Sequence, residues 1–346
     1  MIVDTLLRKG VNESDENGFT PLIVAAFTGN ETLVKFLLEQ EDIQVNKACN
    51  RGNPPLMYAA HTGSESVVEL LLNNKETEVN LGSEKGITPL LAAACKGHEK
   101  VAELLLGHED IQINEASNQH GAPLFISAQN NHIKVVKLLL EQEGIRVNSV
   151  NIDGATPLLV AALNGHEQVV DVLISTKEID VNQTMWNGVT PLFAAAQYGH
   201  DKVVKMLLEK DGRALNQADR HGNVPLRAAA NFGHERVVEI LLGHEGIQVN
   251  RASNHPLAKG WTPLKTAAEK GHEKIVDLLS LQLTVPLKPN SICIVCLDRL
   301  VDVVLVPCGH QNLCGPCAHQ WSTIGKTCPM DRIKIYKILP LQRYDN

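Results

Sequence analysis

Residues 86–114 read GITPLLAAACKGHEKVAELLLGHEDIQIN. Thr88 stands where its hydroxyl can accept from the first turn of a helix, and Pro89 follows at the position where a missing N–H costs nothing. Ala92, Ala93 and Ala94 keep that helix thin enough for close packing, and Gly97 breaks it. Val101, Leu104 and Leu105 then recur at i, i+3 and i+4, which gives a second helix one apolar face. Neither short helix can bury that face alone, so such units must stack. A Pro-Leu step recurs at Pro21, Pro55, Pro89, Pro123, Pro157, Pro191 and Pro225, always 34 residues apart, and again at Pro263 after 38. The chain is therefore an array of helix pairs with a four-residue insertion before the last.

This pattern resembles the ankyrin repeat family over residues 1 to 280, in about eight units. The "G-x-T-P-L-x-x-A-A" and "G-H-x-x-V-V-x-x-L-L" blocks recur in register. The resemblance implies a mainly α fold, a curved solenoid of helix pairs with a finger projecting from each. Departures stand out. The family often has His after "TPL", whereas here the position holds Ile23, Met57, Leu91, Phe125, Leu159, Phe193, Arg227 and Lys265. Pro54, Ala122 and Val224 replace the capping threonine, each weakening its cap by about 1 kcal/mol. In the fourth unit His120 takes the finger-glycine position, with Gly121 behind it. Residues 1–18, MIVDTLLRKGVNESDENG, match the second helix and tail of a repeat without its first helix. That is either a half-repeat cap or a fragment, and Ile2, Val3, Leu6 and Leu7 are expected to pack on the first full unit.

The 346-residue chain is 44 % hydrophobic and 21 % charged, enough for ample core and two domains. The absence of a long apolar run argues against a membrane span, and the start lacks a signal-peptide layout. The expectation is a soluble intracellular protein, cytoplasmic or nuclear. Of the net charge of −7, residues 291–346 contribute +2 and residues 1–290 −9. Neither part carries a basic tract, so nucleic acid is not the expected partner.

The ankyrin resemblance places partner contacts on finger tips and on the exposed ends of first helices. In a chain only 4 % aromatic, Trp186, Tyr198, Phe232 and Trp261 gather in units six to eight, with Arg220 and Arg227 nearby. Aromatics and Arg are the usual binding anchors, so these six are the candidate partner-binding residues. The "GH" histidines, His98, His166, His200, His234 and His272, recur once per unit at a helix start and read as local hydrogen-bonding groups, not ligands. Cys49 and Cys95 have no neighbouring ligand in sequence and read as ordinary thiols.

After Ser280 the helical period stops, and residues 281–291, LQLTVPLKPNS, form a semi-stiff linker. From there the order is Cys293-x2-Cys296, eleven residues, Cys308-x-His310, three residues, Cys314-x2-Cys317, ten residues, Cys328-x2-Asp331. Cysteine clustering of this kind in a chain without a signal sequence reads as metal binding. Eight ligands make two tetrahedral zinc sites.

Residues 292–334 resemble the RING finger family of ubiquitin ligases, a small zinc-stabilised α/β fold. The short "C-G-H" step separates them from PHD-type fingers, and no basic lipid-binding run of the FYVE type is present. The resemblance implies a cross-brace in which Cys293, Cys296, Cys314 and Cys317 hold one zinc and Cys308, His310, Cys328 and Asp331 the other. It also implies a surface for a ubiquitin-charged conjugating enzyme, onto which Ile294, Trp321, Pro329 and Arg332 map. Asp331 departs from the family's eighth cysteine, although a carboxylate oxygen ligates zinc as well. The tail, residues 335–346, follows the stretch Ile333 to Ile338, which alternates apolar and basic residues; this is either a strand closing the finger or half of a dimer interface. The implied function is a RING-type E3 ubiquitin ligase whose array binds a protein substrate. The alternative is a non-catalytic interaction scaffold. No nucleophile and base stand apart from the repeat pattern to suggest a hydrolase.

Overall fold

The computed structural model describes residues 10–117, 121–255, 260–282, 303–306 and 337–340. Ile2, Val3, Leu6, Leu7 and His120 lie outside them. The chain divides into two compact units, Met1–Trp186 and Asn187–Asn346, each described in turn. Sixteen α-helices occur among the described residues.

In the first unit five helix pairs follow one another: Pro21–Phe27 with Glu31–Leu38, Pro55–Thr62 with Glu65–Leu72, Pro89–Lys96 with Glu99–Leu106, Pro123–Gln129 with Ile133–Leu140, and Pro157–Asn164 with Glu167–Ser175. Each first helix packs on the next first helix, and each second helix on the next second. The core between them is built from the predicted positions: Ala92, Ala93, Ala94, Val101 and Leu105 are all fully or almost fully buried. Thr20, Thr88 and Thr156 cap their helices as the sequence indicates, each side-chain oxygen accepting from the N–H three residues on at 3.1–3.2 Å. Pro54 and Ala122 supply no side-chain cap.

The second unit has three pairs: Pro191–Tyr198 with Asp201–Lys210, Pro225–Phe232 with Glu235–Leu242, and Pro263–Lys270 with Glu273–Leu281. A 3-10 turn at Gly212–Asn216 follows the longest second helix. Thr190 and Thr262 cap, and Val224 does not. Strand β1, Val303–Val306, pairs antiparallel with β2, Lys337–Pro340, with Val303 opposite Pro340 and Val306 opposite Lys337. The tail thus supplies a strand within its own chain.

Two ladders tie repeat to repeat. An asparagine recurring every 34 residues in the repeat tails grips the backbone of the following tail with both ends of its amide. Asn80 Nδ2 donates to Asp110 O at 2.7 Å and its Oδ1 accepts from Gln112 N at 2.9 Å. Asn46, Asn114, Asn148 and Asn216 repeat the arrangement. Each bond contributes about 1 kcal/mol at most in this half-exposed setting. Asn80→Ala is therefore expected to lower stability by about 1.5 kcal/mol, measured by urea unfolding, with Asn80→Asp restoring only the accepting half.

The second ladder uses the "GH" histidines. Their partners are not local, as the sequence suggests, but lie in the preceding repeat: His98 Nε2 meets His61 O at 3.0 Å, His166 meets Gln129 O at 2.9 Å, and His234 meets Gln197 O at 2.9 Å. His132, which lacks the preceding glycine, does the same with Cys95 O at 3.0 Å. The carbonyls are freed at the ends of the first helices, where no helical N–H remains to bond them, and the stacked repeat brings an imidazole to them. A carbonyl only accepts, so each ring carries its proton on Nε2. His272 closes the series on Asn231 O at 3.3 Å.

The irregular fourth unit shows its strain in the backbone. Asn131, at φ +61°, is the non-glycine residue in the left-handed region among the described residues, where the other repeats have glycine. Asn tolerates this region better than other side chains. The four-residue insertion lies in the last finger. Cys49 N bonds Asn53 O in the second finger, but Ser253 N reaches Trp261 O at 2.9 Å to close the enlarged one.

Candidate functional site

Two regions carry the functional expectations: the exposed side of the array and the cysteine-rich end. Cys293, Cys296, Cys308, His310, Cys314, Cys317, Cys328 and Asp331, and the contact residues Ile294, Trp321, Pro329 and Arg332, lie outside the described residues. What the backbone does show is the pairing of β1 with β2. β1 falls between Cys296 and Cys308, and β2 follows Asp331, so six of the eight proposed ligands, from Cys308 to Asp331, lie between the paired strands in sequence. The donor set of six cysteines, one histidine and one aspartate suits zinc, which takes S, N and O ligands four at a time. Among the described residues no group of three or more His, Cys, Asp or Glu could hold a metal. Cys49 and Cys95 are free thiols.

Of the six candidate partner-binding residues, Trp186 belongs to the first compact unit and the other five to the second. Trp186 is 73 % exposed at a finger tip. Its Nε1 donates to Ile152 O at 2.9 Å, and its ring lies where a Cβ on Gly154 would stand, 2.7 Å away. The exposed Ile152 completes an apolar tip.

In the second unit the five residues separate into two groups. Tyr198 and Phe232, 52 % and 54 % exposed, end successive first helices. Phe232 stacks on His234 with ring centroids 6.3 Å apart, and His234 bonds the carbonyl of Gln197, beside Tyr198. Of the other three, Arg220 takes the finger position of Trp186 one repeat on, Arg227 lies in the first turn of helix Pro225–Phe232, and Trp261 precedes the capping Thr262. Arg220 is exposed, with Nε on His221 Nε2 at 3.2 Å. Arg227 donates from Nη1 to Asn223 Oδ1, which also accepts from Ser253 Oγ at 2.8 Å. Asp219 Oδ1 accepts from the Asn223 and His221 N–H groups at 2.8 and 2.9 Å. Burial lowers the Arg227 pKa, opposed by the Asp219 charge, and its Nε is buried without a hydrogen-bond partner. Trp261 is half-buried and carries Lys265 Nζ 5.5 Å from its ring centroid.

A third aromatic group, which sequence reasoning did not assemble, lies in the first unit. Phe27, 52 % exposed, meets the edge of Tyr58 at 5.7 Å, and Phe19 meets it at 5.5 Å. Tyr58 OH lies 3.5 Å from Cys49 Sγ and accepts from Asn53 Nδ2 at 3.2 Å. Burial pushes the Cys49 thiol up, but the Tyr58 hydroxyl and the N–H groups of Arg51 and Asn53 outweigh it and the net shift is down. The signal available in sequence was aromatic spacing across two repeats, Phe19 and Phe27 against Tyr58.

No helix among the described residues is long and apolar enough to cross a membrane. Comparison with known families matches residues 1–83, 75–151, 144–219 and 213–286 to ankyrin repeats (3 copies), and residues 289–338 to a zinc finger of the C3HC4 type, the RING finger. Among curated proteins, E3 ubiquitin-protein ligase SPL1 of Arabidopsis thaliana is 38 % identical over 54 residues, 16 % of this chain and 15 % of the relative. The chain thus matches only a small part of that relative's length. The ankyrin matches cover most of the sequence, in agreement with the stacked helix pairs, and the chain belongs to the ankyrin repeat family, with a C3HC4-type RING finger near its C-terminal end.

Proposed function

We propose that this protein is a RING-type E3 ubiquitin ligase in which the array, residues 1–280, binds a protein substrate and the finger, residues 292–334, positions a ubiquitin-charged conjugating enzyme. The observation that carries this reading is the RING match over residues 289–338, which contains all eight proposed ligands. The 54-residue similarity to an E3 ligase supports it.

Cys293, Cys296, Cys314 and Cys317 would hold one zinc ion, and Cys308, His310, Cys328 and Asp331 a second. When bound with four protein ligands, zinc supplies folding energy and offers no open position for water. Transfer then rests on positioning. Ile294 and Trp321 offer apolar contact to the conjugating enzyme, Pro329 shapes the second ligand loop, and Arg332 bonds both enzyme and ubiquitin through its five-donor fork. The nucleophilic cysteine belongs to the conjugating enzyme, and the attacking lysine to the substrate. A finger that only assembles partners is the rival, favoured by the departure at Asp331.

With a panel of conjugating enzymes, the zinc-loaded chain should ubiquitinate itself. Arg332→Ala and Ile294→Ala should each slow that reaction at least tenfold while leaving zinc content unchanged. Equal rates for both variants and the parent would remove these residues from the contact surface.

A further inference from the structure

At the third position of the first helix, two residues after the recurring proline, six repeats bury an apolar side chain: Ile23, Met57, Leu91, Phe125, Leu159 and Phe193 are each at most 6 % exposed. The last two repeats place Arg227 and Lys265 there instead. Two successive core positions thus carry cations, and both are half-buried.

Their surroundings are also distinct. Arg220 is exposed with its Nε on His221 Nε2, His221 and His255 meet edge to face at 4.7 Å, and Trp261 lies beneath Lys265. The carboxylate facing Arg227, Asp219, already accepts two backbone N–H groups and Asn223 Nδ2. Glu269, one turn beyond Lys265, is exposed. Locally the cations exceed the carboxylates, against a net charge of −9 over residues 1–290. The enlarged last finger, closed by Ser253 and Trp261, borders the same place.

A capping role alone does not account for this. Terminal repeats favour polar groups on their outward face, but Arg227 is on the penultimate pair, whose first helix packs against the last one. A guanidinium with a buried, unpartnered Nε is a destabilising choice for a core position.

We infer that the Arg227–Lys265 stripe, with Trp261 at its edge, is the docking site for an extended acidic segment of the protein substrate. Packed helices lie about 8–10 Å apart, and a chain extended as a polyproline II helix advances about 3.1 Å per residue and returns to the same face every third residue. Two carboxylates about three residues apart would therefore meet the two cations. Arg227 receives one through the guanidinium hydrogens that Asn223 does not take, its Nε being buried, and Lys265 the other as a point charge beside the Trp261 ring. This deepens the reading of the array as the substrate-binding half of the protein.

The test is selection of random displayed 12-residue peptides on the full-length, zinc-loaded chain, with no ubiquitin components present, so that a failure of ligation reads out separately. Selected peptides should be enriched in Asp or Glu pairs spaced three apart. Arg227→Leu with Lys265→Leu should weaken their binding at least about tenfold, while the melting temperature holds or rises. Arg236→Gln, which removes an exposed cation paired to Glu239 on a second helix, should bind as the parent does. Several results would overturn the proposal: no selected peptides, peptides without acidic enrichment, binding unchanged in the double variant, an equal loss in Arg236→Gln, or a fall in melting temperature that accounts for the lost binding.

Discussion

Cys308→Ala is expected to reduce ubiquitin transfer to background and to lower the zinc content from two ions per chain to one. Cys308 is proposed to share a zinc with His310, Cys328 and Asp331, so its loss leaves three ligands and an open position. A finger of this size cannot build a sufficient core by itself, and structural zinc contributes on the order of 10 kcal/mol or more to such folds. Removing one thiolate therefore unfolds the surface that would hold the conjugating enzyme. The helical array has its own core and should melt as before, which separates this outcome from general unfolding. Asp331 gives the matching control. Asp331→Ala should also lose one zinc, and Asp331→Cys should keep both ions and transfer, because four-coordinate zinc accepts either donor. Metal analysis beside a self-ubiquitination assay reads all three variants. Two zincs retained by Asp331→Ala would show that this carboxylate is not a ligand.

Gly63→Ala should lower the stability of the array by about 2–3 kcal/mol. Gly63 ends its helix at φ +77°, where a Cβ costs about 1–2 kcal/mol. That Cβ would stand 2.6 Å from two atoms of the His98 ring. The ring must move, and its bond to His61 O, 3.0 Å long, goes with it at about 1 kcal/mol. His98→Ala alone should cost about 1 kcal/mol. In the Gly63→Ala background it should cost much less, because the bond is already broken. Urea unfolding of the four proteins measures that coupling. Strict additivity would mean that the glycine and the histidine act independently.

The array was legible because its signals are local and repeated. Thr20, Thr88, Thr156, Thr190 and Thr262 cap helices whose first residue is the recurring proline. Pro54, Ala122 and Val224, read as weak caps, make no cap bond. The ladders were not legible to the same degree. Asn80 and His98 are visible in the periodic sequence, but their partners are backbone atoms of a neighbouring repeat, and a carbonyl has no letter in the sequence. The same limit explains why Trp186, Tyr198, Phe232, Arg220, Arg227 and Trp261 read as one patch. Sequence proximity by repeat does not distinguish the helix ends that hold Tyr198 and Phe232 from the helix start that holds Arg227 or the finger end that holds Trp261. Arg227 and Lys265 were visible as departures from the family's usual residue. Only the burial of Ile23, Leu91, Leu159 and Phe193 at the equivalent place shows what those departures displace. At the cysteine-rich end the ligand spacing carried the reading, and the family match over residues 289–338 agrees with it.

Discharge of ubiquitin from a charged conjugating enzyme onto free lysine tests the central claim most directly, because it needs neither the substrate nor any property of the array. The account predicts that the zinc-loaded chain accelerates discharge with at least one member of a broad enzyme panel, and that chelation or Cys308→Ala removes the acceleration. A folded chain carrying two zincs that speeds discharge by no enzyme in the panel would contradict it.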